Sequence, residues 1–99
     1  MKPDDLHVHV DPELIGLIPE FLAHRKTDIH RIRELVDRES FDLVAEIGHT
    51  MKGSGAMYGF QQITVYGMLI EQAAHKKEAL SVLKIADEMG TYLNTVTYS

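Results

Sequence analysis

The chain has 99 residues, 44% of them apolar, with no cysteine and a net charge of −5. That length makes one domain with a single modest core, the acidic balance argues against nucleic acid or an anionic membrane as partner, and the missing cysteine excludes disulfides, thiolate metal sites and a cysteine nucleophile. No apolar run approaches the ~20 residues that span a bilayer, and Met1-Lys2-Pro3-Asp4-Asp5 lacks the apolar stretch of a signal peptide, so the expected address is the cytoplasm.

Residues 1–10 have no helical period and are expected as an N-terminal tail, with residues 11–99 as the folded domain. His7-Val8-His9-Val10 alternates like a strand, but over too short a run to define one. Asp11-Pro12-Glu13 reads as a helix start: Asp caps, Pro suits the first position, and Glu favours the positive end of the helix dipole. Pro19 kinks or restarts that helix. Beyond it Phe21, Leu22, Ile29, Ile32, Leu35 and Val36 recur at helical spacing, giving a long amphipathic helix to about Glu39. Ser40 is placed to cap the next helix, whose apolar stripe is Phe41, Val44, Ala45, Gly48, Met51 and Gly55, and Gly59 closes it. A third helix from about Phe60 to Ala74 turns Ile63, Tyr66, Gly67, Ile70 and Ala74 inward. After a turn at His75-Lys76-Lys77, the last helix runs from about Glu78 to Leu93 on Ala79, Val82, Leu83, Ala86, Met89, Gly90 and Leu93. Asn94 to Ser99 is expected to fray. The short connections predict an all-α, antiparallel bundle.

Residues 48–59 break the pattern with four glycines: Gly48, Gly53, Gly55 and Gly59. Each glycine inside a helix costs ~0.5–1 kcal/mol relative to alanine, so their placement needs a reason. Gly48 and Gly55 fall on the inward stripe, where they let helices approach closely. Gly53 does not. It follows His49 by one helical turn, on an outward row with Asp42 and Glu46. His49 is thereby expected to face solvent with the space above its ring cleared, and Lys52 flanks it at i+3. An exposed neutral imidazole, a clear approach and a nearby cation suit a nucleophile that accepts a phosphoryl group from a macromolecular partner.

The run His49-Thr50-Met51-Lys52-Gly53-Ser54-Gly55-Ala56-Met57-Tyr58-Gly59-Phe60 resembles the signature of histidine-containing phosphotransfer (HPt) domains, H-x-x-K-G-[SA]-x-x-x-x-G-[FLA]. The likeness extends over roughly residues 12–93, and Ile70-Glu71 stands where the family has a leucine–glutamate-like pair. The resemblance implies an up-down four-helix bundle with an additional short N-terminal helix. It also implies a phosphoryl group on the distal ring nitrogen of His49, exchanged with the aspartate of receiver domains and supplied through a sensor histidine kinase. In some relatives a carboxylate or amide at the position of Glu71 bonds the proximal nitrogen. The site residues so implied are His49, Lys52, Gly53 and Glu71, in a monomeric phosphocarrier that needs no cofactor.

Two other readings compete. Glu46-Ile47-Gly48-His49 has the E-x-x-H spacing of di-iron bundles, but a second such motif is absent and both residues fall outside the apolar stripe. A helical protein-interaction module without chemistry would leave the Lys52-Gly53 placement unexplained. An autonomous kinase lacks its parts here: there is no Gly-rich phosphate loop, Walker lysine or kinase catalytic loop.

Overall fold

The structure, a computed structural model, describes residues 7–99; residues 1–6 of the expected tail lie outside the described residues. Asp11 begins the ordered turn that precedes the bundle. Its Oδ1 accepts the Glu13 N–H at 2.9 Å, and its carbonyl accepts from Leu14. The chain then tightens into one 3₁₀ turn, Ile15–Leu17, before the first α-helix. Where an additional short N-terminal helix is expected, the structure has a turn at Asp11 and this single 3₁₀ turn, and Pro19, in the first turn of α1 (Ile18–Asp37), marks where the helix restarts rather than where it kinks.

Three further helices follow: α2 (Phe41–Tyr58), α3 (Gln61–His75) and α4 (Ala79–Thr95). Each packs on its neighbour in sequence and α4 returns to α1, which makes the all-α, up-down bundle that the apolar periodicity predicts. The largest fully buried side chains are Ile18, Ile32, Val44, Met51, Phe60, Ile63, Ile70, Val82 and Met89, contributed by all four helices and the α2–α3 turn. Each such side chain stabilises the fold by roughly 1.5–3 kcal/mol. Of the expected core positions, Leu22, Ala79 and Leu83 are only partly buried. Ile18, Phe60 and Tyr92 join the core without having been expected there. Ser40 stands at the head of α2, yet its hydroxyl makes no capping bond.

Both ends of the described chain meet. His7–Val8 (β1) pairs in parallel with Thr97–Tyr98 (β2), and Val10 N–H donates to the Ser99 carbonyl at 2.8 Å. Of the alternating run His7–Val10 only His7–Val8 is strand, and Asn94–Ser99 does not fray: α4 continues to Thr95, and Tyr98 packs edge-on against Phe60 at 6.4 Å.

Candidate functional site

The site is built where α2 and α3 touch at their backbones. A Cβ at Gly48 would lie 2.8 Å from both the Glu71 nitrogen and the Gly67 carbonyl oxygen, and a Cβ at Gly67 would lie 2.5 Å from the Lys52 nitrogen. No larger residue fits at either position without separating the helices. That close approach brings Glu71, from the middle of α3, against the outer edge of α2.

Glu71 bridges the two polar residues of the motif. Its Oε2 lies 3.1 Å from His49 Nδ1, and its Oε1 accepts from Lys52 Nζ at 3.1 Å. The Lys52 hydrogen bond is the main reason the Glu71 carboxyl sits below the usual carboxylate range; partial burial opposes it, and the charges of Lys52 and His49 add to it. An ionised carboxylate can only accept hydrogen bonds, so Nδ1 of His49 carries the proton. In the neutral ring the lone pair is then on Nε2. The His49 side chain is 69% exposed while that of Glu71 is 20% exposed, so the carboxylate is sheltered and the imidazole is open.

Gly53 is exposed, and a Cβ there would meet nothing within 4 Å. The approach over His49 is open, as the sequence predicts. On the other side of the ring an open groove is lined by Asp42, Ala45, Glu46, Thr50, Glu71 and His75. Lys52 does flank the site, but its ammonium is tied to Glu71. Met51 is fully buried, as its place on the apolar stripe predicts, and Tyr58 is half-buried, stacked at 4.5 Å on Phe21; Met57, on the same helix, is 71% exposed.

Two side chains outside the motif escaped the sequence reading. Arg25 of α1 donates to the Ser54 hydroxyl, which itself donates to the Met51 carbonyl at 3.1 Å. Thr64 of α3 donates to the Lys52 carbonyl, also at 3.1 Å. Arg25 with Asp28 is a legible i,i+3 pair, but nothing in the sequence points from either helix to α2.

Among the described residues no three His, Cys, Asp or Glu side chains converge as a metal site requires. Glu46 and His49 lie on the outer surface of α2, away from the bundle interior where a di-iron site is built. Among the described residues no helix is long and apolar enough to cross a membrane. In comparison with known families, the Hpt domain matches over residues 16–96. Neither a curated protein nor a solved structure matches the chain.

Proposed function

The chain belongs to the Hpt domain family, and on that premise we propose that it carries a phosphoryl group on Nε2 of His49 between a receiver domain and a second signalling partner. Hpt domains serve phosphotransfer in two-component signalling, act as carriers rather than kinases, and interact with histidine kinases and receiver domains. The observation that carries the assignment to His49 is the Glu71 bridge, which accepts from Nδ1–H, holds the ring proton on that nitrogen and leaves the exposed Nε2 bare.

The Nε2 lone pair forms a bond to phosphorus of the partner's aspartyl phosphate, and the acyl O–P bond breaks with its electron pair returning to the partner's carboxylate. The product ring carries positive charge, which the Glu71 carboxylate stabilises through Nδ1–H as an orienting acid does for other catalytic histidines. Lys52, one turn from His49, is placed to stabilise negative charge on the phosphoryl oxygens. Gly53 leaves room for the partner's face. The reverse sequence passes the group on, and the partner supplies the remaining carboxylates and Mg²⁺.

The test is direct. A phosphorylated receiver, or a kinase, labels the protein with one acid-labile, base-stable phosphoryl group, and His49→Gln abolishes the label while helical circular dichroism is retained. Label that persists in that variant at His24, His30 or His75 refutes the assignment.

A further inference from the structure

The turn of α2 that follows His49 is held from both sides. On the α1 side Arg25 is nearly buried, its side chain 12% exposed. Its guanidinium lies 5.3 Å from the Phe21 ring centroid, its Nε is 2.8 Å from Asp28 Oδ2, and its Nη1 donates to Ser54 Oγ. Ser54, with its acceptor capacity engaged by Arg25, donates its proton to the Met51 carbonyl at 3.1 Å. On the α3 side the Thr64 hydroxyl donates to the next carbonyl along, that of Lys52, at 3.1 Å. Gly55 admits this contact: a Cβ there would lie 2.6 Å from both the Thr64 nitrogen and its hydroxyl oxygen.

Met51 and Lys52 carbonyls are the ones that α-helical geometry pairs with the N–H groups of Gly55 and Ala56. They therefore span the turn in which Gly53 sits with no side chain and nothing around it. Glycine weakens a helix by conformational entropy, and this turn carries Lys52 and adjoins His49. A helix with an unsupported glycine at that point would let both groups wander relative to Glu71 on α3.

We propose that Arg25 and Thr64 are positioning residues for phosphoryl transfer: acting through Ser54 and directly, they brace the Lys52-Gly53 turn from α1 and from α3 so that His49 and Lys52 keep their registry with Glu71. This rests on His49 being the phosphoryl acceptor, and it adds two residues outside the motif to the machinery. The open space over Gly53 serves the partner, and the two hydroxyl bonds restore the rigidity that the space removes.

The experiment is single-turnover transfer from a receiver domain that labels the wild type, read at increasing receiver concentration. Thr64→Val keeps the shape and removes the hydroxyl; Arg25→Lys keeps the charge beside Asp28 and removes the fork. Each is expected to lower the limiting rate by about tenfold, since small misplacements of reacting groups are costly, with the half-saturating concentration unchanged. Thr64→Ser restores the rate. In Thr64→Val, amide exchange at Gly55 and Ala56 accelerates while the amides of α4 keep their protection. A limiting rate within about twofold of wild type in Thr64→Val, or exchange that rises uniformly over the molecule, overturns the proposal, and this variant decides the matter alone if Arg25→Lys fails to fold. A wild type that takes no label on His49 from a receiver or from phosphoramidate overturns the function proposed above, and this inference with it; a labelled wild type with unaffected variants overturns the bracing only.

Discussion

At the scale of single residues, the protonation of His49 is decided on a different helix. Because Glu71 stays ionised, Nδ1 of the neutral ring must donate, and Nε2 keeps the lone pair. Glu71→Gln retains an acceptor for Nδ1–H but removes the charge; Glu71→Ala removes both. Nitrogen NMR under conditions where the ring is neutral should show the Nδ1–H tautomer in wild type and Glu71→Gln, and a shift toward the ordinary solution mixture in Glu71→Ala. The same carboxylate makes a pH prediction. Its folded-state pKa lies below the ordinary value of 4.5, so its contribution to stability is complete above that value and is lost as pH falls through the lower folded-state value. Denaturation midpoints taken from about pH 6 down to pH 2 should fall less steeply in Glu71→Gln than in wild type, and parallel curves would show that the bridge has no weight in folding. His49, Lys52, Gly53 and Glu71 are all legible in the sequence, the first three because helical spacing of three and four puts them on one face, and Glu71 through the family's pattern. The Lys52–Glu71 bond is not, because it depends on how far α3 rolls against α2, which the glycine pair Gly48 and Gly67 sets.

At the scale of elements, the three connections between helices are closed by the same device. Ser40 N–H bonds to Leu35 O, Phe60 N–H to Gly55 O and Glu78 N–H to Ala73 O, and the residue before each donor has positive φ: Glu39 at 57°, Gly59 at 82° and Lys77 at 55°. These are left-handed caps that return each helix toward its predecessor. Only one uses glycine. A side chain in that conformation costs about 1 kcal/mol or more, so Glu39→Gly and Lys77→Gly should each raise stability, by up to ~1 kcal/mol after the greater freedom of the unfolded glycine is subtracted. Gly59→Ala should lower it by ~1 kcal/mol, which for a domain of this size is a shift of roughly 4–8 °C in Tm. Thermal unfolding of the three variants checks this, and a Lys77→Gly protein that melts below wild type would contradict it. The same geometry explains where the sequence was legible. The interiors of α1 to α4 follow from apolar periodicity, and Gly59 marks its own turn. Glu39 carries no such mark, so the periodicity predicts α1 two residues beyond its true end at Asp37, whereas the turn at His75-Lys76-Lys77 is legible without a glycine.

At the scale of the whole molecule, the functional face and the closure of the chain ends are separate constructions. His49 and Glu71 sit near the middle of α2 and α3, whereas β1 and β2 close the end of the bundle at which Phe60 turns the chain from α2 into α3. His49 to Tyr58 alone is roughly 14 Å of helix rise. The closure was not legible because the pairing residues are about ninety positions apart and each strand has only two residues, so no local period announces it. Tyr98, with Val8, joins it to the core; Tyr98 lies edge-on to Phe60, which in turn lies 5.4 Å from Phe21. An aromatic pair of this kind contributes ~0.5–1.5 kcal/mol beyond the area it buries. Tyr98→Ala should therefore lower the melting temperature and speed amide exchange at Val10 and Ser99, whose backbone bonds at 2.8 and 3.0 Å tie the two ends together. It should leave the rate of phosphoryl uptake by His49 unchanged at temperatures where the protein remains folded, because the Glu71 bridge and the Gly48–Gly67 contact do not involve β1 or β2. Unfolding curves and single-turnover transfer measured on the same preparation decide it. A drop in uptake with no loss of stability would mean that the chain ends act on the site, and the two constructions would have to be treated as one.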